Sequence, residues 1–292
     1  MPWLQLSIET TEEQAPLLEL AFQSLGALSV TLGDAADQAV LEPAPGEEKI
    51  WQKTRVTGLF AAERDADALR SALNQALNAD VTQTLELEWL TDRVWERVWL
   101  ENFQPMKFGQ HLWICPNGKL PEEADAVVVE LDPGLAFGTG THPTTALCLE
   151  WLDNCDLSGK TVVDYGCGSG ILAIAALQLG AGRAIAVDYD TQAIEATRNN
   201  AEKNCVSDRL TTYLPEQLPS LCAEFLVANI LAGPLIELAP RLCSLLQPEG
   251  KFALSGILVE QGDSVSTAYT SYAKLDAPKK LDDWLLLSGV KY

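Results

Sequence analysis

"VVDYGCGSGILAIAALQLGAGRAIAVDYD", Val162 to Asp190, is the stretch on which the fold turns. A short β-branched run enters a loop that carries Gly166, Gly168 and Gly170. An apolar stretch rich in alanine and leucine follows, as in a buried helix, and a second short apolar run ends in Asp188 and Asp190. Strand, loop, helix and strand make one βαβ unit, with parallel strands and a right-handed crossover. Glycine has no Cβ, so the loop can turn tightly and let a ligand approach the main chain. The helix after it begins with N–H groups directed towards that ligand. An acid about 20 residues on, at the end of the second strand, suits the hydroxyls of a ribose.

The spacing distinguishes between nucleoside cofactors. The dinucleotide fingerprint is G-x-G-x-x-G. Here the glycines fall as G-x-G-x-G, and Ile171 stands where the last glycine should be. A bulky side chain there hinders close helix–strand packing. Asp164, just before the loop, suits a cationic ligand better than a pyrophosphate.

Strands and helices alternate on either side of this unit. "TVVDYG", "RAIAVDYD", "EFLVANI", "KFALSGIL" and "WLLLSGVKY" read as strands, and "HLWICP" and "AVVVEL" lead in as strand-like runs. "GILAIAALQLG", "TQAIEATRNNAEKNC", "LAGPLIELAPRLCSLLQPEG" and "GDSVSTAYTSYA" read as helices. That alternation predicts an α/β fold with a doubly wound, mostly parallel, Rossmann-like sheet. Ligands in such sheets bind beyond the carboxyl ends of the strands.

The first third has a different order. Strands are expected at 3–9, 28–34, 50–62 and 82–90. One helix, capped by Thr10 and Thr11 with Glu12 and Glu13 in its first turn, runs to about Leu25 and stops at Gly26. A second spans Ala66 to Leu77. The order β-α-β-β-α-β is that of a small α+β, ferredoxin-like domain. The expected organisation is therefore a domain over 1–91, a linker over 92–108 and a second domain over 109–292. In the linker, Val94, Trp95, Val98 and Trp99 share one face of a connecting helix from about Asp92 to Leu100. Pro105 then breaks helical bonding, and Gly109 offers backbone freedom for a rotation between domains.

Composition excludes several classes. The formal net charge is −21. Residues 1–91 hold 15 acidic and 5 basic side chains, so the first third is about twice as acidic per residue as the rest. Such a surface repels phosphates, so direct nucleic-acid binding is not expected, whereas a basic partner would be attracted. Seven cysteines without a C-x-x-C pair and only two histidines, His111 and His142, argue against a metal centre or a disulfide framework. Cys167, inside the glycine loop, reads as a small packed side chain rather than a nucleophile. No apolar run approaches the roughly 20 residues that span a bilayer, so no membrane association is expected. The N-terminus lacks the marks of a signal peptide, which makes the cytoplasm the expected compartment.

D-x-G-x-G-x-G followed by an acidic strand end resembles motif I of the class I S-adenosylmethionine-dependent methyltransferases. Two further stretches narrow the resemblance, "LDPGLAFGTGTHPTT" (131–145) and "ANILAGPL" (228–235). Together with the loop, they resemble the bacterial ribosomal protein L-eleven methyltransferases over nearly the whole chain. "NILAGP" departs from the N-P-P-[YF] signature of enzymes that methylate planar amide or base nitrogens.

The resemblance implies that S-adenosyl-L-methionine is the cofactor. It implies that the substrate is the basic ribosomal protein L-eleven, modified on lysine ε-amines and its N-terminal α-amine. It also implies that the N-terminal domain holds that substrate. Carried over by position, Thr145, Gly166, Gly168, Asp188 and Asn229 line the cofactor, and Asn229 is the candidate for orienting the reacting amine. Read as residues alone, several have other roles open to them. Thr145 could cap the helix beginning "ALCLEWL", and Asn229 could be a turn residue before Pro234. Asp190 reads as the cap of the next helix, and His142 as either a general base or a structural loop residue. The competing functions are a methyltransferase of this fold acting on another protein, a small molecule or RNA, and a non-catalytic binding module.

Overall fold

The computed structural model describes residues 3–36, 51–77, 85–90, 104–116, 119–121, 123, 125–131 and 142–292. The chain divides into two compact units, Met1–Trp95 and Glu96–Tyr292.

The first unit contains β1 (Trp3–Thr11), α1 (Ala15–Ser24), β2 (Ser29–Asp34), β3 (Lys53–Ala61), α2 (Ala66–Leu77) and β4 (Leu85–Leu90). The sheet order is β2-β3-β1-β4, antiparallel throughout. Strict alternation along β1 buries Leu4, Leu6 and Ile8 against Leu18 and Phe22 of α1 and Leu69 and Leu73 of α2. Phe22 and Phe60 meet edge to face at 6.0 Å. Thr10 and Thr11, expected as helix caps, instead finish β1 opposite Thr54 and Lys53. Both are β-branched and prolong the strand. The helix starts after Gln14, with Pro16 in its first turn.

The second unit opens with a small sheet of β5 (Met106–Phe108), β6 (Leu112–Cys115) and β7 (Val127–Glu130), ordered β5-β6-β7. The expected connecting helix from Asp92 to Leu100 lies outside the described residues. Met106–Phe108 of the expected linker is strand, antiparallel to β6. Gly109, expected as a source of freedom, is pinned. It takes φ +68° in the β5–β6 turn, and a Cβ there would strike the Asp153 carboxylate. That carboxylate accepts hydrogen bonds from the amides of Gln110, His111 and Leu112.

The main elements follow: α3 (Pro143–Asp153), β8 (Thr161–Tyr165), α4 (Ile171–Gln178), β9 (Arg183–Val187), α5 (Thr191–Lys203), β10 (Leu210–Tyr213), β11 (Ala223–Asn229), α6 (Ala232–Glu237), α7 (Ala239–Ser244), β12 (Leu246–Leu258), α8 (Gly262–Tyr269), β13 (Ala273–Leu275), β14 (Lys279–Leu281) and β15 (Trp284–Lys291). The sheet runs β10-β9-β8-β11-β12-β15-β13, with β14 also paired to β15. The first five strands are parallel, and β15 is antiparallel to its neighbours. Both faces are covered. Val162, Ala184 and Val227 face one apolar core, and Val163, Ile185 and Leu226 face the other. This is why these strands read as unbroken apolar runs.

Two predicted helices are shorter than expected. "LAGPLIELAPRLCSLLQPEG" holds two short helices and then enters β12. Pro240, in the first turn of α7, has no N–H to continue the ladder from α6. "GDSVSTAYTSYA" stops being helical at Tyr269, and Ala273 begins β13. Among the described residues, no helix is long and apolar enough to cross a membrane.

Candidate functional site

From β8 the chain winds outward through β9 and β10, then returns to the other side of β8 as β11. The order reverses between β8 and β11, and their carboxyl ends open a crevice there. Asp164 and the glycine loop follow from β8, Asp188 ends the run of β9, and Asn229 is the last residue of β11. The topology thus brings Asp164, the glycine loop, Asp188 and Asn229 to the carboxyl ends of neighbouring strands of one sheet.

Gly166, Gly168 and Gly170 take φ of 81°, 54° and 79°, the left-handed region that disfavours other residues. A Cβ on Gly166 would collide with Cγ2 of Ile230, and one on Gly170 would lie 2.8 Å from Thr197. The loop is therefore tied to β11 on one side and to α5 on the other. Its amides are committed inward. Gly166 and Cys167 donate to the Val187 carbonyl at 2.7 and 3.0 Å, and Gly168 donates to Oδ2 of Asp188 at 2.9 Å. Its carbonyls are held as well. Thr197 donates to Gly168 O at 3.0 Å, and Asn200 to Ser169 O at 2.8 Å.

Asp188 is buried, with 8% exposure. Its Oδ2 accepts from Gly168, and its Oδ1 accepts from the Asp190 amide at 3.0 Å. Each carboxylate oxygen has two lone pairs, so both retain capacity for a further donor. Tyr189, directly after it, is 87% exposed. Asp190 caps α5, as expected, by accepting from Gln192 N at 2.8 Å.

Asp164 is fully buried, and its Oδ2 accepts from Ala173 N in the first turn of α4 at 3.0 Å. Among the described residues, none donates a hydrogen bond to its Oδ1. Burial, reinforced by the charge of Asp188 and opposed by the Ala173 bond, pushes this carboxyl up to about 7. Cys167 is 5% exposed, and burial raises its thiol, with the nearby Asp164 adding to the shift. It stays a protonated, packed side chain, as the sequence indicates.

On the other wall, Asn229 Nδ2 donates to Thr145 Oγ1 at 3.1 Å, so these two expected residues are partners. Thr145 is 1% exposed and lies inside α3. The alternative of Thr145 as a helix cap does not hold. His142 is the N-cap, its Nδ1 within 2.7 Å of Thr144 Oγ1 and accepting from Thr144 N at 3.4 Å. Pro143 takes the first helical position, where its missing N–H is not needed. Burial lowers the His142 pKa, and its ring meets Trp284 edge to face at 4.9 Å. These contacts give His142 a structural place. Asn229 belongs to a strand end rather than a turn. "DPGLAFGTGT" (132–141) lies outside the described residues.

Two residues that sequence reasoning missed lock the walls together. Ile230 follows Asn229 and sits between Gly166 and Gly256. Gly256 has φ +84°, and a Cβ on it would strike the Ile230 carbonyl. The only local signal was a glycine within the strand pattern "KFALSGIL", which marks a bulge or a close backbone approach. The β12–β15 register shifts between Leu254 and Ile257, at this glycine.

The arrangement selects the kind of ligand. A pyrophosphate needs loop and helix N–H groups, yet the amides of Gly168 and Ala173 already serve Asp188 and Asp164. The Asp188 carboxylate against the loop also repels a polyanion. A cationic group over the loop, with a sugar bonded to Asp188, satisfies the same donors and acceptors. The residues present therefore fit S-adenosylmethionine, which joins a cationic sulfonium to a ribose.

Comparison with known proteins agrees. The family described as "Ribosomal protein L11 methyltransferase (PrmA)" matches residues 2–292. A ribosomal protein L11 methyltransferase of Hahella chejuensis is 54% identical over 291 residues, covering 99% of this chain and 98% of that one. That of Actinobacillus pleuropneumoniae serotype 3 is 50% identical over 292 residues, covering 100% of each. A crystal structure of ribosomal protein L11 methylase from Lactobacillus delbrueckii subsp. bulgaricus superposes with a TM-score of 0.58 at 32% identity, covering 65% of this chain and 99% of that one.

Proposed function

The chain belongs to the ribosomal protein L11 methyltransferase family, and from that premise we propose that it transfers methyl groups from S-adenosyl-L-methionine to L11, on lysine ε-amines and the N-terminal α-amine. The observation that carries the cofactor is the pair of aspartates that occupy amides a pyrophosphate would need, Asp188 on Gly168 in the loop and Asp164 on Ala173 in the first turn of α4. They make the β8–β11 crevice a place for a cation with a ribose. Thr145, Gly166, Gly168, Asp188 and Asn229 line it.

The cofactor supplies a methyl group already activated on a sulfonium. The chain's residues have the work of orientation. Asp188 holds the ribose, and the bare main chain at Gly166 and Gly168 lets the ligand lie close. Thr145 and Asn229, bonded to each other, fix the opposite wall. The Asn229 side chain offers a donor and an acceptor, and its acceptor oxygen can take a hydrogen bond from the incoming amine. A lysine amine is protonated at neutral pH, with an ordinary pKa of about 10.4. Desolvation in the crevice favours its neutral, nucleophilic form. Alignment and exclusion of water then account for rate without a dedicated strong base.

Residues 1–91 take the substrate-binding role, and 109–292 the cofactor role, with 92–108 joining them. The excess of acid in the first third favours a basic protein over RNA. Such a substrate places the enzyme in the cytoplasm. The test is transfer of label from S-adenosylmethionine to purified L11 or to free ribosomal RNA. Label in L11 alone is expected. Label in RNA alone overturns the substrate, and none in either overturns the activity.

A further inference from the structure

The glycine loop rests on a carboxyl that its surroundings leave half satisfied. Asp164 is fully buried, one oxygen bonded to Ala173 N and the other, among the described residues, bonded to nothing. The Ala173 amide on α4 and Asp188 beyond β9 act on it, and its own charge bears on Cys148 of α3 and Cys167 in the loop. Both thiols are themselves raised by burial, so they carry no charge at neutral pH. Among the described residues, no cation contributes to its ionisation. A buried carboxylate without a cationic partner is costly, and such a group keeps its proton until a positive charge arrives.

Resting on the cofactor assignment above, we propose that Asp164 is protonated in the cofactor-free enzyme and ionises as the cationic methyl donor binds, releasing its proton to solvent. The O–H bond of the Asp164 carboxyl breaks, the electron pair stays on the carboxylate, and buffer takes the proton. No covalent bond to the cofactor forms. Asp164 thereby acts as a positioning residue whose charge appears only when a cation is there to use it. Below neutral pH the neutral carboxyl attracts the cation less, so affinity rises with pH as Asp164 ionises in the free enzyme. An opposite charge nearby lowers a carboxyl pKa by about 1–3 units, which sets the rise in affinity at about tenfold or more. His142 can also titrate on these walls, where its removal from water lowers its pKa, and Asp164→Asn leaves its contribution in place.

Titration calorimetry of the full-length enzyme with S-adenosylmethionine, in buffers of different ionisation heat, counts the protons. The α-amine of the cofactor titrates at about 7.7–8.0, so the range from about pH 5.5 to 7.5 isolates the protein's own groups. Near pH 6 the wild type is expected to release about half a proton to one proton per cofactor bound, and its affinity to rise towards pH 7.5. Asp164→Asn is expected to bind without that release and with a flat pH profile. Binding without proton release by the wild type, or equal release by Asp164→Asn, overturns this inference alone. No binding by the wild type overturns the cofactor assignment and this inference with it. If Asp164→Asn does not fold, infrared difference spectra of the wild type with labelled aspartate decide instead. A protonated carboxyl band that vanishes on saturation with cofactor is the expected result, and an unchanged carboxyl region overturns the proposal.

Discussion

Asp164 lies two residues before the glycine loop and Asp188 holds its Gly168 amide, yet the two have opposite environments. Asp188 receives two amides and touches the crevice, whereas Asp164 receives one amide and lies sealed below it. Replacing Asp188 by Ala removes the proposed ribose acceptors. One lost charge-assisted bond is worth about 1.5–3 kcal/mol, or about 10- to 150-fold in dissociation constant. Calorimetric titration checks this, and an unchanged constant contradicts the role. Asp164 sets a pH dependence of stability with a definite sign. Its folded value, about 7, lies above the ordinary 3.8, so the stabilisation it contributes is complete below 3.8 and is lost as pH rises through about 7. Between about pH 5 and pH 8, the cofactor-free wild type should lose about 2–3 kcal/mol relative to Asp164→Asn. Urea unfolding of both proteins at the two pH values measures it, and parallel pH profiles contradict it.

The βα loop after β8 was legible because three glycines within five residues, bounded by a strand and a helix, suit a tight turn open to a ligand and little else. All three take positive φ. The short helices after β11 were not legible, since an apolar period persists through Pro240 and on into Leu245 and Leu246, where the chain is already turning into β12. Thr10 and Thr11 carry cap chemistry and strand propensity at once, and pairing with β3 decides in favour of the strand. The Thr145–Asn229 bond was hidden for another reason, since it joins residues 84 apart and depends on where α3 packs. Gly256 is the plainest case of a residue whose role is purely tertiary. In Gly256→Ala, a left-handed alanine alone is expected to cost about 1–3 kcal/mol, and the added Cβ must also displace the Ile230 backbone. Denaturant unfolding should show that loss, together with weaker cofactor binding, because Ile230 links Asn229 to Gly166. Wild-type stability and affinity in the variant would separate Gly256 from the site.

The two units have separate cores, one built on Leu4, Phe22, Phe60 and Leu73, the other on the two faces of the parallel sheet. The division of labour proposed for them predicts that an enzyme lacking residues 1–91 keeps its affinity for S-adenosylmethionine and loses methylation of L11. Modification of L11 at the intact rate by the folded, truncated enzyme contradicts that division. Fold class and the glycine loop were legible in the sequence because period and glycine chemistry are local. The substrate was legible only through resemblance, since no local pattern encodes which protein an acidic domain will hold. The most direct measurement is therefore peptide mass spectrometry of L11 after reaction with the full-length enzyme and S-adenosylmethionine. Methyl increments confined to lysine side chains and the N-terminal amine are expected, and absent when Asp188→Ala is assayed at cofactor concentrations that saturate only the wild type. An unmodified L11, or methyl groups on side chains other than amines, contradicts the account.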